Sequence, residues 1–149
     1  MELKNLISPT TTKAQAHADS KKSVVELVSN IIATQISDIE FQQIFSNLLD
    51  REKLGSTAIG HGVALPHCRL ANLEEPIAAL IQLVQPIDFD ANDNQPVDLF
   101  FGLLMPEDAE EQYLEIVAKV AEKFSQKTFR NKLRAATTST ELYQAATSD

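Results

Sequence analysis

Apolar positions change their spacing three times along the chain, and each change marks a different kind of element. From Asp19 to Ile36, "DSKKSVVELVSNIIATQI" places Val24, Leu27, Ile31 and Ile32 at helical spacing, with Asp19 or Ser20 available to cap the start. "SDIEFQQIFSNLLDREKLG" follows, with Ser37 and Glu40 in capping-box spacing and Phe41, Ile44, Leu48 and Leu49 as an apolar face. Gly55 is placed to end that helix in a left-handed cap. The middle of the chain loses the helical period. "GVALPH", "IAALIQLV" and "VDLFFGLLMP" are short, nearly continuous apolar runs separated by polar turns such as "DANDNQP", the pattern of strands buried on both faces.

The helical period then returns. "EDAEEQYLEIVAKVAEKF" predicts a helix with Tyr113, Leu114, Val117, Val120 and Phe124 on its buried face. A further turn at "TFRNKLRAA" and a helix at "TSTELYQAAT" follow, the latter with Thr138 and Glu141 in capping-box spacing. The first 20 residues are polar and weakly patterned. "TTKAQAHA" reads as an edge strand with His17 at the surface, and residues 1–10 are expected to be disordered. Helices, strands and helices again, with no repeat and no linker, predict one α/β domain over residues 1–149, a mixed, mostly parallel sheet with helices on both faces.

Composition narrows the function. A length of 149 residues suffices for a core without metals or disulfides, and one cysteine makes no internal disulfide. The expected setting is therefore a reducing one, the cytoplasm, with no membrane segment. A net charge of −8, with lysines and arginines scattered, argues against nucleic acid as a partner.

The chemistry concentrates in "GHGVALPHCRL", where His61 and His67 precede the single Cys68. Metal is disfavoured, because no Asp or Glu lies within the segment and its charged neighbours Arg51, Lys53 and Arg69 are cations. A serine nucleophile lacks the G-x-S-x-G elbow, and a Walker-type phosphate loop is absent. Cys68 could be activated by Arg69, though a small half-buried residue at a strand end explains it as well. A neutral imidazole can instead take a phosphoryl group if cations and N–H donors surround the equatorial oxygens. His67 suits that role, with Pro66 stiffening its approach, Arg51 as a fixed charge, and Ser56 and Thr57 in a glycine-flanked turn. From residue types alone, a packed or surface histidine is the stronger reading.

As one string, "REKLGSTAIGHGVALPHCRL" resembles the signature of the mannitol/fructose-type enzyme IIA domains of the phosphoenolpyruvate phosphotransferase system: R-E, then S-T, a glycine-rich turn, and G-[IV]-A-[IL]-P-H. "PIDFDANDNQPVDLFFGLLMP" and "KTFRNKLRAATTSTELYQ" resemble its nitrogen-regulatory branch, and the similarity runs from about Ser20 onward. The resemblance implies the mannitol-type IIA fold and a phosphoryl group accepted on Nε2 of His67 from a small HPr-like carrier. Arg51 would then stabilise the phosphate, and Ser56, Thr57 and Tyr113 would line its pocket, with no cofactor or metal. Two departures stand out. Tyr113 occupies the place of the family's second histidine, and His61 stands where the branch often has a small polar residue.

The implied role is a regulatory phosphoryl carrier acting on target proteins. The alternatives are a sugar-specific IIA that passes phosphate to a IIB domain, and a binding module that is never phosphorylated. A homodimer is left open.

Overall fold

Two long strands form the centre of the sheet, and their alternation assigns the helices to its two faces. The computed structural model describes residues 2–148. In chain order the elements are β1 (Thr12–Ala16), α1 (Lys21–Ala33), α2 (Phe41–Lys53), β2 (Ala58–Gly60), β3 (Val63–Ala64), β4 (His67–Leu70), β5 (Ile77–Ile87), β6 (Val97–Pro106), α3 (Glu110–Phe124), α4 (Lys127–Ala135) and α5 (Ser139–Thr147). The sheet runs β1-β5-β6-β3-β2, and β4 also pairs with β6 beyond β3. β5 and β6 are antiparallel; β1 lies parallel to β5, β3 and β4 lie parallel to β6, and β2 closes an antiparallel hairpin on β3. The sheet is thus mixed, with parallel pairings in the majority.

Side chains alternate across β5 and β6 because successive residues of a strand point to opposite faces. Ala78, Leu80, Leu99, Phe101, Leu103 and Met105 pack with Ile116 and Phe124 of α3, Phe129 and Leu133 of α4, and Leu142 of α5. Ala79, Ile81, Phe100 and Leu104 pack with Val24, Val28 and Ile32 of α1 and Ile44 and Leu48 of α2. The near-continuous apolar runs of the sequence arise from this two-sided burial. Gly102 falls on the second face, where a Cβ would overlap Cγ1 of Val28, so α1 sits closer there than any side chain permits.

Several local expectations are met and others are corrected. Ser20 caps α1 and makes a capping box with Ser23; Thr138 and Glu141 do the same for α5. Ser37 and Glu40 do not form the expected box: α2 begins only at Phe41, and its N-cap Glu40 makes no side-chain capping bond. Gly55 does follow the end of α2, but with φ 156°, far from the left-handed helical region. On α3 the buried stripe runs through Ile116, Val120 and Phe124, and Leu114 is 69% exposed. Val120 and Phe124 keep their expected places, Tyr113 and Val117 pack at the margin of the core, and Ile116 is buried where Leu114 was expected.

Residues 2–10 carry defined local structure. Short 3₁₀ turns at Leu3–Asn5 and Pro9–Thr11 bring Leu3, Leu6 and Ile7 into the core, and the Leu6 carbonyl accepts from the Ala78 amide at 2.9 Å. Apolar anchoring at three positions offsets the polar composition around them. Met1 lies outside the described residues.

Candidate functional site

The sheet edge beyond β6 is built from short, interrupted pieces, and His67 lies at one of the breaks. β3 ends at Ala64 and β4 starts at His67, with Leu65 and Pro66 between them. Proline has no N–H to continue a ladder, so the pairing with β6 breaks at this step and resumes after it in the same register. The Pro66 carbonyl still accepts from the Leu103 amide at 2.8 Å, which holds the step against β6.

This step aims the histidine ring back at its own chain. Nδ1 of His67 lies 2.6 Å from the Leu65 carbonyl oxygen. A carbonyl can only accept, so Nδ1 carries the hydrogen, and in the neutral ring Nε2 holds the lone pair. Burial disfavours the imidazolium, and Arg51 adds to that effect; the Leu65 hydrogen bond and Glu52 act in the opposite direction. The net result is a histidine held below its ordinary value of 6.5, neutral at physiological pH. A neutral, tautomer-fixed imidazole that is only half-buried is equipped to act as a nucleophile at Nε2.

Cys68, its neighbour, faces the other way. It is buried in the core with α1 and α2, and burial pushes its thiol up to about 12. A thiol so far from ionisation is a packing group, not a nucleophile.

Arg51, in the last turn of α2, influences the ionisation of both His67 and Tyr113, and its Nη1 donates to the Gly55 carbonyl at 3.0 Å. Tyr113, at the start of α3, lies with its ring centroid 5.6 Å from that of His67, at an interplanar angle of 51°. Its ring also packs against the margin of the α3-side core. Arg69 stacks its guanidinium 5.6 Å from the Tyr113 ring and pairs with Glu110 at 3.4 Å. Desolvation raises the Tyr113 phenol, so it remains a neutral hydrogen-bonding group.

The serine–threonine pair is bonded within the protein itself. The Ser56 hydroxyl donates to the Phe89 carbonyl at 2.6 Å. Thr57 is buried and gives both its donors to Glu52, the amide to Oε1 at 2.8 Å and the hydroxyl to Oε2 at 2.7 Å. Both hydroxyls brace the turn: Thr57 supplies the donors that the buried Glu52 carboxylate requires, and Ser56 ties the turn to the segment after β5. Glu52 is the residue that sequence reasoning passed over. Its signal was present: it continues the Ile44–Leu48 stripe one turn further, and a carboxylate on a buried stripe must have partners.

His61 sits at φ 59° between Gly60 and Gly62, in the β2–β3 turn. Its amide donates to Asp93 and its carbonyl accepts from Arg134 at 2.6 Å, so its backbone organises the turn while its side chain stays exposed. His17 lies just past the end of β1 and takes no part in the His67 group. Among the described residues, no three His, Cys, Asp or Glu side chains converge where a metal ion could be held, and no helix is long and apolar enough to cross a membrane.

The family model for the "Phosphoenolpyruvate-dependent sugar phosphotransferase system, EIIA 2" matches residues 5–148. The nitrogen regulatory protein of Pseudomonas aeruginosa is 42% identical over 144 residues, spanning 97% of this chain and 94% of that one. That of Escherichia coli is 40% identical over 148 residues, spanning 99% and 90%. Among solved structures, nitrogen regulatory protein IIA-Ntr from Neisseria meningitidis has a TM-score of 0.89 at 35% identity, over 97% of this chain and 99% of that one. IIA mannitol from E. coli shares the fold, with a TM-score of 0.71 at 16% identity over 89% of this chain and 92% of that one. The chain belongs to the EIIA 2 family of the phosphoenolpyruvate-dependent sugar phosphotransferase system.

Proposed function

We propose that this protein accepts a phosphoryl group on Nε2 of His67 from a small HPr-like phosphocarrier, and that its phosphorylation state decides which regulatory target proteins it binds. The observation that carries the reading is the 2.6 Å bond from Nδ1 to the Leu65 carbonyl, which leaves Nε2 as the ring's free lone pair. Nε2 attacks the donor's phosphorus, an N–P bond forms, and the donor's bond to phosphorus breaks. The ring gains positive charge, which the Leu65 carbonyl shares through the Nδ1 hydrogen. Arg51 offsets charge on the equatorial oxygens, and Tyr113 forms one wall beside the ring. A phosphoryl group then adds close to two negative charges to this surface, enough to gate a protein interface.

The regulatory reading is favoured by relatives at 40% identity or more over nearly the whole chain, all named nitrogen regulatory proteins. Onward transfer to a IIB domain is the second reading. It rests on fold likeness to an enzyme IIA solved in complex with phosphorylated IIB, at 14% identity, and Tyr113 in place of the family's second histidine weighs against it.

The test is incubation with phosphoenolpyruvate, the general phosphotransfer enzyme and HPr-type carriers. The expected product gains the mass of one phosphoryl group in an acid-labile, alkali-stable linkage. The gain disappears in His67→Ala and survives in Cys68→Ala. No gain with any carrier would overturn the reading and leave a binding module; rapid transfer to purified IIB domains would favour the second reading.

A further inference from the structure

Three segments distant in sequence meet at one buried carboxylate beside the histidine. Glu52 is 4% exposed and takes both donors of Thr57, at 2.8 and 2.7 Å. Lys21, the first residue of α1, places its ammonium 3.4 Å from Oε1. The same ammonium reaches Asp90 at 3.1 Å and lies 4.9 Å from the centroid of the Phe89 ring. Phe89 in turn accepts from Ser56 at 2.6 Å. The turn after α2 is therefore fixed at its far end by Glu52, and at its side by the segment after β5.

Arg51 is held by that same turn. Its guanidinium donates to the Gly55 carbonyl at 3.0 Å, two residues before Thr57. Gly55 itself is open on its Cα side, with nothing within 4 Å of a Cβ built there, so packing does not fix its carbonyl. What fixes it is the Gly55 amide, which donates to the Glu52 carbonyl at 3.2 Å, together with the short span from the end of α2 to the Thr57 anchor. Leu54, at the tip of the turn, is 84% exposed and adds no hold of its own. Consecutive residues of a helix point about 100° apart, so Arg51 can face the histidine while Glu52 faces the interior.

We infer that Glu52 is a positioning residue for phosphoryl acceptance: by anchoring Thr57 and Lys21 it fixes the 54–57 turn, and through the Gly55 carbonyl it holds the Arg51 guanidinium where the His67 surface requires it. The inference rests on the proposed chemistry of His67, and it assigns the helix-end Arg-Glu pair two distinct tasks. Arg51 faces the phosphoryl group. Glu52 touches neither donor nor phosphate; beside the upward pull of its charge on the His67 ring, it acts through Arg51.

A double-mutant cycle on the full chain tests it. Glu52→Ala is expected to slow phosphoryl acceptance at saturating HPr-type carrier at least tenfold, with KM for the carrier changed less than twofold. In an Arg51→Ala background, adding Glu52→Ala should cost less than a further twofold. Equal losses in both backgrounds, or a Glu52→Ala rate within twofold of wild type, would overturn the inference. Should Glu52→Ala fail to fold, Glu52→Gln and Thr57→Val run the same cycle, since each removes part of the anchor and leaves the rest.

A second readout needs no phosphoryl transfer. The Arg51 side-chain Nε–H, followed by ¹⁵N relaxation, should be rigid in the wild type and mobile in the Glu52 variants. An Arg51 signal equally rigid in both would overturn the inference even if His67 is never phosphorylated.

Discussion

The two edges of β6 have opposite characters. On one side β5 pairs with it over most of its length, antiparallel; β6 is nearly free of solvent, and β5 is exposed only at Val84, Gln85 and Pro86 and half-buried at Ile77. On the other side β3 and β4 divide the same strand between them, two residues and then four, with Pro66 in the gap. The β5 side is held by apolar burial and contains no chemistry. The β4 side is held by backbone steps and polar ties: Leu65 to His67, Thr57 to Glu52, Ser56 to Phe89. A continuous ladder would have hidden the histidine ring in a packed layer. The interruption leaves it half-buried, dry enough to stay neutral and open enough to meet a partner. The fold thus separates stability and reactivity along one strand.

That separation can be broken from either side. The largest effect is on chemistry: His67→Ala should abolish phosphoryl acceptance while shifting unfolding free energy by about 1 kcal/mol or less, as measured by urea denaturation. On the β5 side, Phe100→Ala should cost about 3–5 kcal/mol through lost burial and the cavity left behind. The protein that remains folded should still be phosphorylated, and a loss of acceptance larger than the loss of folded protein would show that the two edges are coupled. Gly102→Ala should cost about 1–3 kcal/mol, because the new methyl forces α1 away at Val28; an unchanged melting temperature would mean that the helix moves freely there.

The smallest effect is the pH dependence of the β4 side. His67 is held below 6.5, so acceptance by the neutral ring should persist into mildly acidic solution, with its acid limb below that value. The linkage has a definite sign. Between 6.5 and the folded-state value the unfolded chain binds more protons than the folded one. The contribution of this residue to stability is therefore complete above about 6.5, and falls as pH drops through the folded-state value. NMR titration of the His67 ring checks both, and a midpoint at or above 6.5 would remove the claim that burial dominates. Arg51→Ala should move that midpoint upward, since the arginine is one of the groups holding it down.

The β5 side was also the legible side. Unbroken apolar runs such as "IAALIQLV" and "VDLFFGLLMP" admit little but strands covered twice, and helices with capping residues such as Ser20 and Thr138 announce their own starts. The β4 side was legible in its residues but not in its geometry. "GVALPH" reads as one strand, yet Pro66 divides it, and the two-residue β3 gains its partner β2 only through the Gly60–Gly62 turn. The exposure of Leu114 was hidden because Leu114 and Ile116 both fit an apolar stripe through Val117, Val120 and Phe124, and only the surface of the sheet selects between them.

By itself, then, the sequence determined which segments are helix and which are strand, because period and capping are local properties written in neighbouring residues. It also offered His67 and Arg51 as candidates, because a proline-preceded histidine downstream of an Arg-Glu pair is a pattern along the chain. Tertiary structure alone decided which nitrogen of His67 is free, that Cys68 faces away from it, that Tyr113 lies against its ring, and that the Ser56 and Thr57 hydroxyls brace a turn. Each of these depends on which groups from distant segments arrive within hydrogen-bonding or contact distance. That arrangement is set by how two layers of helix close on a twisted sheet, and no local pattern encodes it.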